Sequence, residues 1–349
     1  MLPHSPATQS PEPLRGLPKA LLHEHLDGGL RPQTLLDLCR ERNLEVPVND
    51  AAELGAWMQA NANSGSLERY LKGFALTVAA MASLEACERV AFEAAEDARL
   101  DGCVLAEFRM APLLLEPFGL APEAVVEALA AGLRRSALPC GLIVCAMRTD
   151  PPAHTLRSAQ LAARFAGRGV IAFDLAGAER NHPPSAHVAA FDAARDAGLG
   201  LTCHAGEADT GDRVLEAAAL GATRIGHGVN IMQGDPDTSR RWVEAARARG
   251  LHFEVCPTSN VHTGAVPNLH AHPVRQMLQA GLDVSCSTDN RLMSGVTLSE
   301  ELAAVEAHCG CTHWELGAMM RNAAHASFLG DDVRAAAVQQ IEAGWGLAH

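Results

Sequence analysis

Lysine is nearly absent from this sequence: Lys19 and Lys72 are the two in 349 residues. Neither ends an apolar run, so a hydrolase whose two metal ions share a carbamylated strand-end lysine is disfavoured. Basic charge is scarce in general. Lysine and arginine total 28 against 41 acidic residues, and the formal net charge is -13. Surfaces that grip DNA or RNA are more often basic. A nucleic-acid polymer is therefore not the expected partner, whereas a single nucleobase or nucleoside needs no basic groove. No stretch approaches 18 uninterrupted apolar residues, so no membrane span is expected. The opening MLPHSPATQSPEPLRG has no apolar segment of the signal type and reads as a flexible leader over residues 1–16. The ten cysteines follow no disulfide rhythm, and several, such as Cys103, Cys145, Cys203 and Cys286, sit inside apolar runs. Buried, reduced thiols and a cytoplasmic location are the expectation. Cys309 and Cys311 have no second pair nearby to complete a metal site.

What the sequence does have is a repeated alternation. Eight short apolar runs, at 17–25, 102–112, 140–148, 169–177, 199–207, 223–228, 251–260 and 282–290, each lead into glycine, proline or polar residues. Between most of them lie alanine-rich stretches with helical periodicity, such as 121–137, 156–167, 186–198 and 238–249. Strand and helix in alternation imply parallel pairing, and eight such units predict an α/β fold of the (β/α)8 barrel type. A doubly wound open sheet is the alternative. No GxGxxG follows the first run, which weakens a dinucleotide-binding version of it. The interval between the first two runs exceeds what one crossover needs. It holds helical patterns at 31–43, 64–81 and 83–100, predicted to cover one mouth of the barrel. No linker or solenoid repeat interrupts the chain, so residues 1–349 are expected to form one domain.

In such a barrel, functional groups gather where the strands end. The runs end in His23, His25 and Asp27; in Asp174 and Gly177; in His204 and Glu207; in His227; in Ser259 and Asn260; and in Asp289 and Asn290. Strand side chains alternate faces, so His23 and His25 point the same way and can share one ion. Zinc favours about four nitrogen, sulfur or oxygen donors, and His204 and Asp289 are the candidates to complete the set. An ion held by three neutral imidazoles and one carboxylate keeps net positive charge, which lowers the pKa of a bound water toward about 7. Glu207 is left to bind the metal, orient water or donate a proton, and His227 to act as ligand or base. If the four ligands are already assigned, these two are the acid and the base. His270 and His272 share the HxH spacing but fall between turn residues and Pro273, where a structural role is expected. His262, just past the seventh run, stays a pocket candidate.

LLHEHLDGG, SLERYLKGF, AEFRMAP, FDLAGAE, TCHAGE, TRIGHGV, CPTSN and STDN occur in order over roughly residues 17–300. Together they resemble the adenosine deaminase family of metal-dependent amidohydrolases, and its bacterial members most closely. HAGE, RIGHG and CPxSN carry the specificity; HxH alone does not. The resemblance implies a hydrolase that converts adenosine, and 2′-deoxyadenosine, to inosine and ammonia in purine salvage. It implies one zinc per chain on His23, His25, His204 and Asp289. Glu207 would protonate N1 of the purine, and His227 would deprotonate or orient the attacking water. Asp27 would hold the ribose 5′-hydroxyl, Gly177 would present its N–H to N3, and Ser259 would position His227. His25 also belongs to the substrate-facing set. The segment 66–74 resembles an apolar lid beside the ribose.

One position departs from the family pattern. Many members have two aspartates after the last strand, and here the pair is Asp289–Asn290. N7 of a purine only accepts hydrogen bonds, so an aspartate must be protonated to reach it, whereas the Asn290 amide donates at any pH. Adenine, aminodeoxyfutalosine and methylthioadenosine are the alternative substrates. A nucleoside-binding protein without turnover is the reading from another class, and it is disfavoured because every catalytic position is filled.

Overall fold

A computed structural model describes residues 12–347 of the chain. Eight parallel strands pair strictly in sequence order: β1 (Lys19–His25), β2 (Cys103–Met110), β3 (Cys140–Met147), β4 (Val170–Ala176), β5 (Gly200–Ala205), β6 (Arg224–His227), β7 (His252–Val255) and β8 (Asp283–Cys286). Each predicted run contains one of them. Their side chains are almost all buried, which is why the runs are continuously apolar rather than alternating: the core fills one face and crossover helices cover the other. The ring closes past the end of β8. Asp289 N–H donates to His23 C=O at 2.9 Å, and His25 N–H donates to Asp289 C=O at 2.8 Å. The (β/α)8 barrel expected from the alternation is the fold observed.

Several local expectations are corrected. The pattern at 64–81 predicts one helix, but two form, Leu67–Leu71 and Phe74–Ala80, with Lys72 and Gly73 between them. A further helix, Ala51–Ala62, is capped by the Asp50 side chain. The last run, 282–290, is strand only to Cys286. In the seventh, strand gives way after Val255 to the helix Pro257–His262, because Pro257 has no N–H for a ladder but suits a first helical turn. Of the expected leader, residues 1–11 lie outside the described residues. Residues 12–15 form a short helix, with Leu14 buried and its carbonyl accepting from Lys19 Nζ at 2.8 Å.

Two ionic ladders run through the barrel interior. Arg109 of β2 bridges Asp174 at 2.9 Å and Glu254 at 2.7 Å, and Arg224 of β6 bridges Glu254 at 2.5 Å and Glu107 at 2.6 Å. All five side chains are buried. Burial opposes ionisation of Glu254, yet the Arg224 and Arg109 guanidinium groups hold its carboxyl well below the usual range. Charges this deep persist only when paired.

Candidate active site

His23 and His25 leave β1 on the same face, as their spacing predicts. His23 Nδ1 lies 2.8 Å from Glu254 Oε2. An ionised carboxylate only accepts, so the proton sits on Nδ1 and the lone pair of Nε2 points into the barrel mouth. That Nε2 is buried without a hydrogen-bond partner. His204 of β5 repeats the arrangement. Its Nδ1 faces Asp174, with Oδ1 at 3.2 Å, and its Nε2 points inward. Burial opposes ionisation of Asp174, and His204 and Arg109 hold it well below the usual carboxylate range. Burial likewise pushes the His25 pKa well down, so its ring is neutral.

The inward atoms crowd one point. His23, His204, His227 and Asp289 each offer a donor atom, all within 4.8 Å of one another. His25 Nε2 lies 3.2 Å from His204 Nε2 and 3.5 Å from Asp289 Oδ1. At that spacing the two ring nitrogens either share a proton or flank a cation. The group that lies mutually within reach thus contains His227 in place of the expected His25, which stands beside it; with either, three ring nitrogens and a carboxylate oxygen suit a divalent transition metal.

Two of these residues sit in the left-handed backbone region, His227 at φ 62° and Asp289 at φ 60°. Such conformations cost about 1–3 kcal/mol in non-glycine residues and persist where surrounding bonds over-determine them. Asp289 is held by its two bridges to β1. Beside His227, Gly226 is required by close approach, since a Cβ there would lie 2.9 Å from His23 Cε1.

Glu207 follows β5, and its position is fixed twice. The buried Glu179 carboxylate accepts the N–H groups of Gly206, Glu207, Ala208 and Asp209 at 2.5–3.0 Å, folding the HAGE loop around one anion. The Glu207 side chain accepts from Thr263 Oγ1 at 2.8 Å and Asn260 Nδ2 at 3.2 Å, with His227 Nε2 3.7 Å away. Asp174 was read as a strand-end group without an assigned role; Glu179, Thr263 and Glu254 were not singled out by the sequence, and a charged residue inside an otherwise buried run was the available signal for Glu254. Ser259 differs from expectation. Its hydroxyl donates to Asp289 Oδ2 at 2.6 Å, while Asn260 contacts His227 at 3.0 Å. The helical turn after Pro257 sends consecutive side chains to different neighbours. His272, expected to be structural, is buried 3.1 Å from Asn260; His270 is exposed.

The cluster opens into a cavity of about 370 Å³ lined by His25, Asp27, Gly177, His204, Glu207, His227, Asp289 and Asn290. Leu67, Tyr70, Leu71 and Phe74 form an apolar wall, where the 66–74 segment was expected to lie. No arginine or lysine is among the lining residues, and His262 is not among them either. Burial raises the Asp27 pKa to about 7, and its Oδ1 has no partner. Asn290 packs directly on Gly28, where a Cβ would fall 1.8 Å from Asn290 Oδ1.

Relatives match this chain along nearly all of its length. Residues 18–344 match the family model described as Adenosine deaminase. An adenosine deaminase of Mycobacterium ulcerans is 39% identical over 346 residues, covering 94% of this chain and 95% of that protein. One from Mycobacteroides abscessus is 41% identical over 344 residues, covering 93% and 94%. Among solved structures, an adenine deaminase of Arthrobacter aurescens superposes with a TM-score of 0.83 at 28% identity, covering 95% of this chain and 100% of that one. A barrel of this topology, matched to one family model across nearly its full length, leaves no ambiguity of descent: the chain belongs to the adenosine deaminase family.

Proposed function

We propose that the chain is a zinc-dependent hydrolase that deaminates adenosine to inosine, and 2′-deoxyadenosine to 2′-deoxyinosine, with release of ammonia, in cytoplasmic purine salvage. The observation that carries the nucleoside reading is Asp27. A buried carboxyl with a partnerless oxygen faces the same cavity as Glu207 and the histidine cluster, which suits a ribose 5′-hydroxyl. A nucleotide fits poorly, because a 5′-phosphate would meet Asp27 with no cation in the lining to offset it.

His23, His25, His204 and Asp289 would hold the metal. Zinc there supplies Lewis acidity and makes water a nucleophile near neutral pH. The rest falls to side chains. Glu207 lines the cavity and donates a proton to N1, which draws electron density from C6 as water adds. His227 orients the attacking oxygen. The C6–N bond then breaks: one water proton leaves with the exocyclic nitrogen as ammonia, the other restores Glu207, and the oxygen remains on C6. The Asn290 amide donates to N7 and the Gly177 N–H to N3, fixing the ring while Asp27 fixes the ribose.

Adenine is the second reading, favoured by the solved neighbour that bears that name. Asp27 weighs against it, since a free base has no hydroxyl for the carboxyl. Substrates with a 5′-thioether or other 5′-substituent also lack that donor. Comparison of adenosine with 5′-deoxyadenosine in the parent and in Asp27→Ala tests the point. The parent should prefer adenosine strongly and the variant should lose the preference; equal use by the parent would remove Asp27 from substrate binding.

A further inference from the structure

A one-way chain of hydrogen bonds reaches His227 from outside the cavity, and its direction is set by a backbone amide. Val274 N–H donates to His272 Nδ1 at 3.1 Å. An N–H can only donate, so Nδ1 is the acceptor and the proton of the neutral ring is on Nε2. His272 Nε2 lies 3.1 Å from Asn260 Oδ1 and donates to it. The Asn260 amide is thereby oriented. Its Nδ2 faces His227 Nδ1 at 3.0 Å and Glu207 Oε1 at 3.2 Å. Turning the amide over would set N–H against N–H at His272 and carbonyl oxygen against the Glu207 Oε1 that already accepts from Thr263. His272, Asn260 and His227 are all buried, so no water competes for these bonds.

We propose that His272 and Asn260 are positioning residues that lock His227 as its Nε2–H tautomer, making it a hydrogen-bond donor toward the reacting oxygen. With Nδ1 accepting from Asn260, the Nε2 that faces Glu207 carries the proton. A protonated Nε2 has no lone pair for a metal, which separates His227 from His23 and His204, whose hydrogen bonds run the opposite way. It also has none with which to accept a proton from water. Of the two roles left open for His227, orienting the nucleophile is the one the chain permits. Burial supports the scheme, since it pushes the His272 pKa down to about 3 and keeps that ring neutral.

The proposal rests on the deaminase reading for its kinetic consequence but not for the tautomer itself. Histidine ¹⁵N spectra of the full chain, with and without added Zn²⁺, report the tautomer directly, with His227→Gln assigning the signal. The expected result is a His227 ring protonated at Nε2 alone in both samples. A ring protonated at Nδ1, or at both nitrogens, overturns the proposal whatever the enzyme's substrate. His272→Leu should mix the tautomers and lower kcat about tenfold with KM changed little. His272→Gln, whose amide can still donate to Asn260, should restore both. A folded Leu variant that keeps the parent's tautomer and kcat also overturns it. Absence of adenosine turnover in the parent, with the Nε2–H signal intact, would contradict the deaminase reading and leave the tautomer assignment standing.

Discussion

His23 Nδ1 donates to Glu254 Oε2 at 2.8 Å across the barrel, between β1 and β7, with both side chains fully buried. The same carboxylate is held by Arg109 and Arg224, so the His23 ring is anchored through two buried cations. Polarity inside the core thus determines which nitrogen of this buried imidazole is available to a metal.

Glu254→Gln should therefore weaken metal binding by about 10- to 100-fold, as loss of such an outer carboxylate typically does. It should also destabilise the fold by about 3–5 kcal/mol, because two buried guanidinium groups lose their shared anion. Chelator competition with Zn²⁺ and thermal unfolding measure the two effects. Unchanged metal affinity would separate Glu254 from the site.

Glu179→Gln tests the loop that carries Glu207. A carboxylate can accept four N–H bonds, whereas an amide nitrogen can accept none and would face N–H groups instead. A fall in kcat of about 100-fold is expected, with a smaller change in KM, since displacement of a reacting group by about 1 Å costs that much. Steady-state kinetics at saturating substrate decide it; an unaltered kcat would show that the loop needs no such anchor.

Ser259→Ala should act through Asp289 rather than through His227. Loss of its 2.6 Å bond to Asp289 Oδ2 should reduce metal affinity severalfold while the ¹⁵N signature of His227 stays as in the parent. A changed His227 signal with metal affinity intact would reverse that assignment.

Glu301 predicts a pH effect on stability. Burial raises its pKa to about 7, above the ordinary 4.5, while Thr258 N and Oγ1 donate to it. Between those values the folded state binds more protons than the unfolded one, so this group's contribution to stability falls as pH rises. At about 1.4 kcal/mol per unit, the loss is on the order of 3 kcal/mol, present in full above about pH 7. Glu301→Gln should gain stability relative to the parent on going from pH 5 to pH 8. Denaturant midpoints at the two pH values provide the test, and a constant difference would contradict it.

The strands were legible because each is buried on both faces, leaving a continuous apolar run closed by a turn. HxH was legible because period-two alternation is unambiguous on a strand. The supporting polar groups were not. Glu254 is a single charge within an apolar run, and its partners Arg109 and Arg224 come from other strands, Arg109 far away in sequence; Asp174 was visible at a strand end, but not its bond to His204. Ser259 and Asn260 were attributed to a strand end, but Pro257 starts a helix and rotates them to different targets. His272 looked like a turn residue because nothing local shows that Asn260, twelve positions earlier, reaches its ring.

Ammonia release by the zinc-loaded chain from adenosine, adenine and adenosine 5′-monophosphate tests the central claim most directly. Asp27 and the cation-free cavity predict a kcat/KM for adenosine at least about 100-fold above either competitor, about 2.7 kcal/mol of discrimination. Equal or faster turnover of adenine or of the monophosphate would contradict it.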